Sequence, residues 1–315
     1  MSRRRGARPA WWLRAGAVGL AVAGLGVAVA RPEYVLEAEF ARLRWLAGAS
    51  ETSFQVAGHR WAAVQAGPAD APLVLLVHGF TGSKENWLAM ARELARDHRV
   101  LAVDLPGWGA SERLAGADYG PAAQAERLAG FIAGLPRRPD LVVGHSMGGQ
   151  IVGLMAARHP GLAPRLVLMS AAGVRFEENA FAAAVLAGDN PFQVTNRAEF
   201  RRYLGIVFTE PPFVPWPASE AMVRRRRADV GFEQSVLDGI GRGPQAFALE
   251  EELGAITAPT LLLWCRDDRV IDASAATVFA AGLQHSRTVL LDGCGHMPMM
   301  ARPREVAGAL AQFLR

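Results

Sequence analysis

Ser146 stands at the centre of residues 144–148, which read Gly-His-Ser-Met-Gly and match the pattern G-x-S-x-G. A buried-strand run, residues 141–143, precedes the pattern, and a helix-like run, residues 150–158, follows it. A sharp turn from strand to helix lifts a serine hydroxyl clear of the sheet, and only small neighbours such as the two glycines permit that turn. The pattern therefore predicts a nucleophilic serine.

A serine needs a base to accept its proton and a carboxylate to orient that base. Two polar segments, residues 265–272 and 292–298, each follow an apolar run typical of a buried strand. Both lie at the carboxyl ends of predicted parallel strands, where open α/β sheets collect their functional groups. We predict that His296 is the base, and Asp267, Asp268 and Asp272 compete for the role of the acid.

Two backbone N–H groups are also needed, to stabilise the oxyanion that forms during acyl transfer. The residue after the nucleophile, Met147, provides one of them in a strand–turn–helix arrangement. The second comes from the loop that follows the predicted strand 73–77, which reads His-Gly-Phe-Thr-Gly. We predict Phe80 as this second donor, against the alternative that the loop is an ordinary turn.

These motifs resemble those of the α/β-hydrolase fold superfamily, from about residue 54 to the C-terminus. The resemblance rests on residues 78–80, 104–111, 144–149 and 295–296, and on the loop around Asp268. Residues 80–87 and 148–153, and more weakly 190–192, resemble bacterial esterase/lipases and membrane-anchored, ABHD6-like monoacylglycerol lipases. In the family's G-x-x-D pattern the acid aligns with Asp268, although Cys265 replaces the usual glycine. The resemblance thus implies that Asp268 orients His296.

Strands that alternate with helices predict an α/β fold with a mostly parallel, doubly wound sheet. The predicted strands are 73–77, 100–104, 141–143, 165–170, 260–264 and 286–291, with a hairpin over 55–65 at the sheet edge. The predicted helices are 86–96, 121–135, 273–283 and 303–314.

The alternation breaks between about residues 173 and 252, where the family places a helical cap after the sixth strand. This insert is rich in aromatic residues and prolines. An apolar cap above a nucleophile predicts a pocket for a greasy acyl group. The alternative is that the aromatic residues form only the cap's own core. Residues 224–227, four consecutive arginines, are interpreted as a solvated helix face, with contact to anionic lipid headgroups as the alternative.

Composition is typical of one elaborated domain of 315 residues that buries a large sheet, because 51% of the residues are hydrophobic. The net charge of +4 comes from dispersed arginines without a nucleic-acid motif, so we expect no nucleic-acid partner. No Cys/His cluster has metal-ligand spacing and no glycine-rich phosphate loop follows a strand, so we expect neither metal nor cofactor.

The N-terminal segment, residues 1–32, precedes a catalytic domain predicted over residues 33–315. Five arginines flank the uncharged run 15–30, which with residues 9–12 favours a single-pass anchor in the bacterial inner membrane. A cleaved signal peptide is the alternative, since residues 28–30 read Ala-Val-Ala, and the product would be periplasmic or secreted. Either interpretation places the catalytic domain outside the cytoplasm. Cys265 and Cys294 follow the strands that bear the acid and the base and could form a disulfide, but two unpaired thiols are the preferred interpretation.

The predicted function is a serine hydrolase of lipid-like carboxylic esters, such as monoacylglycerols, acting through an acyl-enzyme. One alternative is a carbon–carbon bond hydrolase of aromatic ring-fission products, since the same three residues can serve that reaction. The other is a ligand-binding relative without activity.

Overall fold

The fold is that of a computed structural model, which describes residue 26 and residues 28–315. Most of the apolar run 15–30, on which the anchor and signal-peptide interpretations rest, lies outside the described residues. Within the described part of the chain, no helix combines the length and the apolar character that a membrane span requires.

Eight strands among the described residues form one sheet in the order β1-β2-β4-β3-β5-β6-β7-β8. The hairpin β1–β2 and the pair β2–β4 are antiparallel, and every other pair is parallel. The strands are β1 (Ser50–Val56), β2 (His59–Ala66), β3 (Leu73–Val77), β4 (Arg99–Val103), β5 (Leu141–His145), β6 (Leu166–Met169), β7 (Thr260–Cys265) and β8 (Ser286–Leu291). The predicted mostly parallel sheet is confirmed.

The central strands β3, β5, β6 and β7 are buried throughout, because helices cover both faces of the sheet. Strand order reverses between β3 and β5, whose pairing brings Val77 opposite Gly144. The loops after these two strands therefore leave the sheet side by side. Such a switch point is where open α/β sheets place their ligands.

Helices connect and flank the strands at bounds close to those predicted. They are α1 (Pro32–Leu46), α2 (Leu88–Leu94), α3 (Pro121–Ala133), α4 (Met147–Arg158), α5 (Ala180–Ala187), α6 (Arg197–Val207), α7 (Ala218–Gly241), α8 (Ala248–Glu252), α9 (Ser274–Gly282), α10 (Pro298–Ala301) and α11 (Pro303–Leu314). Short 3-10 turns cover Lys84–Trp87 and Leu253–Ala255. The predicted helix 86–96 is thus a 3-10 turn followed by the shorter helix α2.

The helical insert after the sixth strand is confirmed, since α5, α6, α7 and α8 lie between β6 and β7. These helices form a cap over the carboxyl edge of the sheet. Sequence reasoning did not predict helix α1. This helix packs against cap helix α7, where Leu36 is buried with Ala218 and Ala221.

Candidate active site

The turn at Ser146 joins β5 to α4. The residue has a φ of 54°, in the left-handed region that side chains rarely adopt. A Cβ at Gly144 would lie 2.3 Å from the carbonyl oxygen of Gly148, and one at Gly148 would lie 2.3 Å from that of His78. Both glycines are therefore required by crossing backbone, which confirms the sharp turn that the sequence predicted.

His296 lies against Asp268 at the carboxyl ends of β7 and β8. Nδ1 of His296 is 2.9 Å from Oδ2 and 3.1 Å from Oδ1 of Asp268. The same carboxylate accepts hydrogen bonds from the N–H groups of Val270 and Ile271, at 2.9 and 3.1 Å. These donors hold the carboxylate in place, and the carboxylate in turn fixes the ring so that Nε2 is available to accept a proton. Both side chains are buried.

The two competing carboxylates, Asp267 and Asp272, accept hydrogen bonds from groups other than His296. Asp267 accepts hydrogen bonds from the Thr209 hydroxyl and the Cys294 N–H. Burial raises its pKa, but these hydrogen bonds outweigh burial and leave its pKa below the ordinary value. Asp272 accepts from the Ser274 N–H at the start of α9. Of the three candidates, Asp268 is therefore the one in contact with His296.

Cys265 and Cys294 form a disulfide with their Cα atoms 5.6 Å apart. The preferred interpretation of two unpaired thiols is thus wrong. The physical reason is the pairing of β7 with β8, which sets Cys265 opposite Leu291 and brings the two following loops together. With Asp267 the sulfurs form a group of potential ligand atoms within 4.8 Å, but a disulfide provides no thiolate to hold a metal.

The loop after β3 carries Phe80 beside the nucleophile. A Cβ at Gly79 would lie 2.8 Å from Cβ of Ser146, so the Gly79–Phe80 peptide packs directly on the serine. Among the described residues, neither the Phe80 N–H nor the Met147 N–H donates a hydrogen bond to another group. The structure thus brings both predicted donors next to Ser146 with their N–H groups uncommitted, and their role as an oxyanion hole stays a prediction.

His78 orients this loop, a role that sequence reasoning missed. Its Nε2 accepts the Leu105 N–H at 3.1 Å, so its proton lies on Nδ1, which donates to the Gly79 carbonyl at 2.7 Å. That carbonyl belongs to the same peptide as the Phe80 N–H and points the opposite way. Burial, the largest influence, lowers the pKa of His78 and keeps the ring neutral for this task. A histidine ending a buried strand was the available signal.

His145 holds the loop that carries the base. Its Nε2 lies 2.7 Å from the backbone oxygen of His296, and the two rings are 4.8 Å apart. Burial, followed by the nearby His296, holds the pKa of His145 well below its ordinary value. The ring is therefore neutral and donates from Nε2 to the carbonyl. Sequence reasoning assigned His145 no role, although it stands inside the nucleophile pattern.

The cap closes over these groups. Phe192, Tyr203 and Val207 of the cap, with Ser146 and His296 below, line a chamber of about 20 Å³. That volume is roughly the space of one water molecule. The Phe192 ring lies 5.8 Å from Phe80 and 5.7 Å from Tyr203, so aromatic contacts hold the cap on the core. Among the other aromatic residues of the insert, Phe213 and Trp216 are exposed.

The sequence suggested that the arginine run on α7 is a solvated helix face, and the structure shows that this is only partly correct. Arg226 is turned inward, where Nε lies 2.6 Å from Oε1 of the buried Glu233. Burial, the largest influence, raises the pKa of Glu233 in spite of this pairing. Arg224 pairs with Glu220, and Arg227 donates to the Thr195 carbonyl. The fourth arginine is exposed.

The sheet, the helical cap and a serine on a strained strand-to-helix turn together define the class of α/β-fold serine hydrolases. A model of the Alpha/beta hydrolase family matches residues 74–309. The chain therefore belongs to the Alpha/beta hydrolase family.

Known proteins of similar sequence and structure support this family membership. The chain is 30% identical to Monoacylglycerol lipase abhd6-B of Xenopus laevis over 257 residues, which are 78% of this chain and 76% of that protein. A solved structure of a membrane phospholipase A, described as a bacterial virulence factor, is 37% identical with a TM-score of 0.87, covering 96% of this chain and 97% of that one. The meta-cleavage product hydrolase of Pseudomonas fluorescens, 22% identical with a TM-score of 0.71 over 83% of this chain and 96% of that one, shares the fold. The chain is a serine ester hydrolase of the esterase/lipase type.

Proposed function

We propose that the chain hydrolyses carboxylic esters of lipids, monoacylglycerols among them, with Ser146 as nucleophile, His296 as base and Asp268 as its orienting carboxylate. The observation that carries the proposal is the placement of His296, bonded to Asp268 through Nδ1, on the same chamber as the strained Ser146. An apolar cap lies above that chamber, which suits an acyl substrate sheltered from water.

In the first half-reaction, Oγ of Ser146 attacks the acyl carbonyl while Nε2 of His296 takes the hydroxyl proton. The carbonyl oxygen becomes an oxyanion between the N–H groups of Phe80 and Met147. The C–O bond to the alcohol then breaks, and the leaving alkoxide takes the proton from Nε2. The Ser146 hydroxyl makes no hydrogen bond to His296 among the described residues, a contact that in such sites tightens when substrate binds.

In the second half-reaction, water replaces the alcohol. His296 takes a proton from the water, whose oxygen attacks the acyl-enzyme carbonyl, and the same N–H groups hold the second oxyanion. Oγ of Ser146 leaves with the proton from Nε2, which releases the fatty acid and restores the serine. Asp268 stays ionised throughout and stabilises the imidazolium that forms in each half.

The chamber over Ser146 holds about 20 Å³, whereas ligand sites for organic molecules typically span roughly 300–1,000 Å³. An acyl chain therefore enters only when the cap moves. Phe192 and Tyr203 then contact the acyl chain instead of each other. Similar proteins bear the names monoacylglycerol lipase and membrane phospholipase A, which supports a lipid ester as the substrate.

We further propose that residues 1–32 attach the chain to the bacterial inner membrane or direct its export, ahead of a catalytic domain over 33–315 with its cap at about 173–252. The arginine-flanked apolar run supports an anchor, and a similar solved structure is called a membrane phospholipase A. The Cys265–Cys294 disulfide supports a domain outside the cytoplasm, because disulfides persist in oxidising compartments.

The test is hydrolysis of p-nitrophenyl esters from acetate to palmitate, with monoacylglycerols and a phosphatidylcholine, by the full chain and by Ser146→Ala. We expect turnover that peaks at medium or long chains and falls by at least about 10⁴-fold in the variant. Intact circular dichroism of Ser146→Ala controls for folding. Absence of ester hydrolysis, together with cleavage of a ring-fission product, would refute the proposal in favour of carbon–carbon bond hydrolysis.

A further inference from the structure

A second cavity, of about 210 Å³, lies beside the catalytic chamber. Four residues line both spaces and thus form the boundary between them: Thr81, Gly82, Asn86 and Tyr203. Thr81 and Gly82 belong to the loop that carries Phe80, Asn86 lies in the 3-10 turn that follows it, and Tyr203 comes from cap helix α6. A substrate chain that outgrows the small chamber therefore reaches this cavity by passing Tyr203.

One wall of the second cavity is formed by α1, the helix that precedes the sheet. Leu36, Phe40 and Leu43 of α1 line it. Their spacing of four and three residues places them on one face of the helix. Leu36 is buried and Phe40 half-buried, and both belong to one hydrophobic cluster with Met222 of cap helix α7, which lines the same cavity. The apolar face of α1 is thus directed at the space beside Ser146.

Charged contacts hold α1 in that position. Nη1 of Arg44 lies 3.4 Å from Oε1 of Glu85, and both side chains are nearly buried. Glu85 also pairs with Lys84 at 2.8 Å, and Lys84 pairs with Asp104 at 3.1 Å. Lys84 and Glu85 lie just after the loop that carries Phe80, and Asp104 follows β4. Helix α1 therefore contacts both the cap and the part of the core that follows the Phe80 loop.

Paired charges also line the second cavity. Arg226 is bonded to Glu233 and lies 5.0 Å over the Tyr203 ring, and Arg113 pairs with Asp229 at 2.7 Å. These charges satisfy one another, and Arg225, which also lines the cavity, is exposed to solvent, so the lining places no unpaired buried charge against an acyl chain. The apolar surface offered to a chain comes from α1, Met222, Phe200 and Met300.

We propose that α1 is part of the substrate site, and that Phe40, with Leu36, determines which acyl chain lengths the enzyme prefers. The proposal rests on the lipid ester function proposed above. The acyl chain of a substrate bound at Ser146 extends past Tyr203 and packs against Phe40. A smaller residue at position 40 lengthens the space available, and a larger one shortens it.

The experiment measures kcat/KM for p-nitrophenyl acetate, octanoate and palmitate with the full chain, Phe40→Ala and Phe40→Trp. We expect the palmitate-to-octanoate ratio to rise by roughly tenfold in Phe40→Ala and to fall by a similar factor in Phe40→Trp, which is the lower end of the range for one methylene in an apolar pocket. Leu36→Ala should shift the ratio in the same direction as Phe40→Ala, and it provides a second variant if Phe40→Ala does not fold.

Tyr34→Ala is the matched control, because Tyr34 lies on the same helix but is 59% exposed and lines neither space. It should leave all three values unchanged. Equal losses on every ester in the Phe40 variants would show a purely structural role and overturn the proposal, as would an unchanged ratio. If the unaltered chain hydrolyses no ester, the ester function itself fails, which is a different result from a ratio that does not move.

Discussion

The disulfide between Cys265 and Cys294 connects the loop of Asp268 to the loop of His296. Both sulfurs are fully buried, and these are the only two cysteines of the chain. Breaking this bond frees the two loops from each other without changing any other covalent contact. We therefore expect reduction to lower both the free energy of unfolding and the fraction of enzyme with His296 correctly placed.

The size of the stability loss follows from the loop that the bond closes. The cysteines are 29 residues apart in sequence. The chain-entropy relation for a closed loop of that length gives about 3.5 kcal/mol at 25 °C. Divided by an unfolding entropy of about 2.1 cal/mol/K per residue over the 289 described residues, this corresponds to a Tm lower by about 6 °C.

The assay is urea and thermal unfolding with and without dithiothreitol, followed by circular dichroism. The oxidised and reduced forms of the natural chain differ by one bond, so their difference isolates the cross-link. The Cys265→Ala/Cys294→Ala variant is the control, since reductant should not affect it. If thiol titration shows that both cysteines are reduced while Tm and kcat are unchanged, the claim that the disulfide stabilises the protein and positions the two loops is refuted.

Three further predictions concern the groups around Ser146. Asp268→Asn should lower kcat by about 10⁴-fold with little change in KM, measured on p-nitrophenyl octanoate, because the wrong tautomer of His296 is then favoured; a loss below tenfold would assign the acid elsewhere. His78→Ala should lower kcat by roughly 10- to 100-fold, since the Gly79–Phe80 peptide loses its orienting bond, and an unchanged kcat would exclude that role. In the folded protein the pKa of His145 lies below its ordinary value of about 6.5. Between these two pKa values the unfolded chain binds more protons than the folded one, so the free energy of unfolding falls as the pH drops below about 6.5. The stability advantage of the natural chain over His145→Gln should therefore shrink between pH 8 and 5, and a constant difference would contradict the assigned cause.

The sheet and much of the site could be predicted because their signals are local. Continuous apolar runs mark strands buried on both faces, and a proline at the first helical position marks the start of α11 at Pro303. The nucleophile turn is likewise local, since Gly144 and Gly148 must both lack a side chain.

Helix α1 could not be predicted because distant contacts stabilise it. The large apolar side chains of Tyr34 and Trp45 are exposed and lie off its buried side, so the contrast between an apolar and a polar face is weak. Its partners on α7, Ala218 and Ala221, are far away in sequence. The available signal was the spacing of Leu36, Phe40 and Leu43, which matches one helical face.

Choices among similar residues also depended on tertiary structure. Asp267 and Asp268 are adjacent in sequence, so the residue pattern left them equal and only the family resemblance chose Asp268, which the loop after β7 sets against His296. The register of β7 against β8 brings the two cysteines together. Arg226 differs from its neighbours only because Glu233, two helical turns further on, lies on the same face of α7.

The central claim is that Ser146 carries the acyl group. Its most direct test is to treat the full chain with a fluorophosphonate, map the adduct by peptide mass spectrometry, and follow monoacylglycerol hydrolysis in the same samples. We predict a single adduct on Ser146 that grows in step with the loss of hydrolysis. Hydrolysis that continues while Ser146 is fully labelled, or that is lost through an adduct on another residue, would contradict the account.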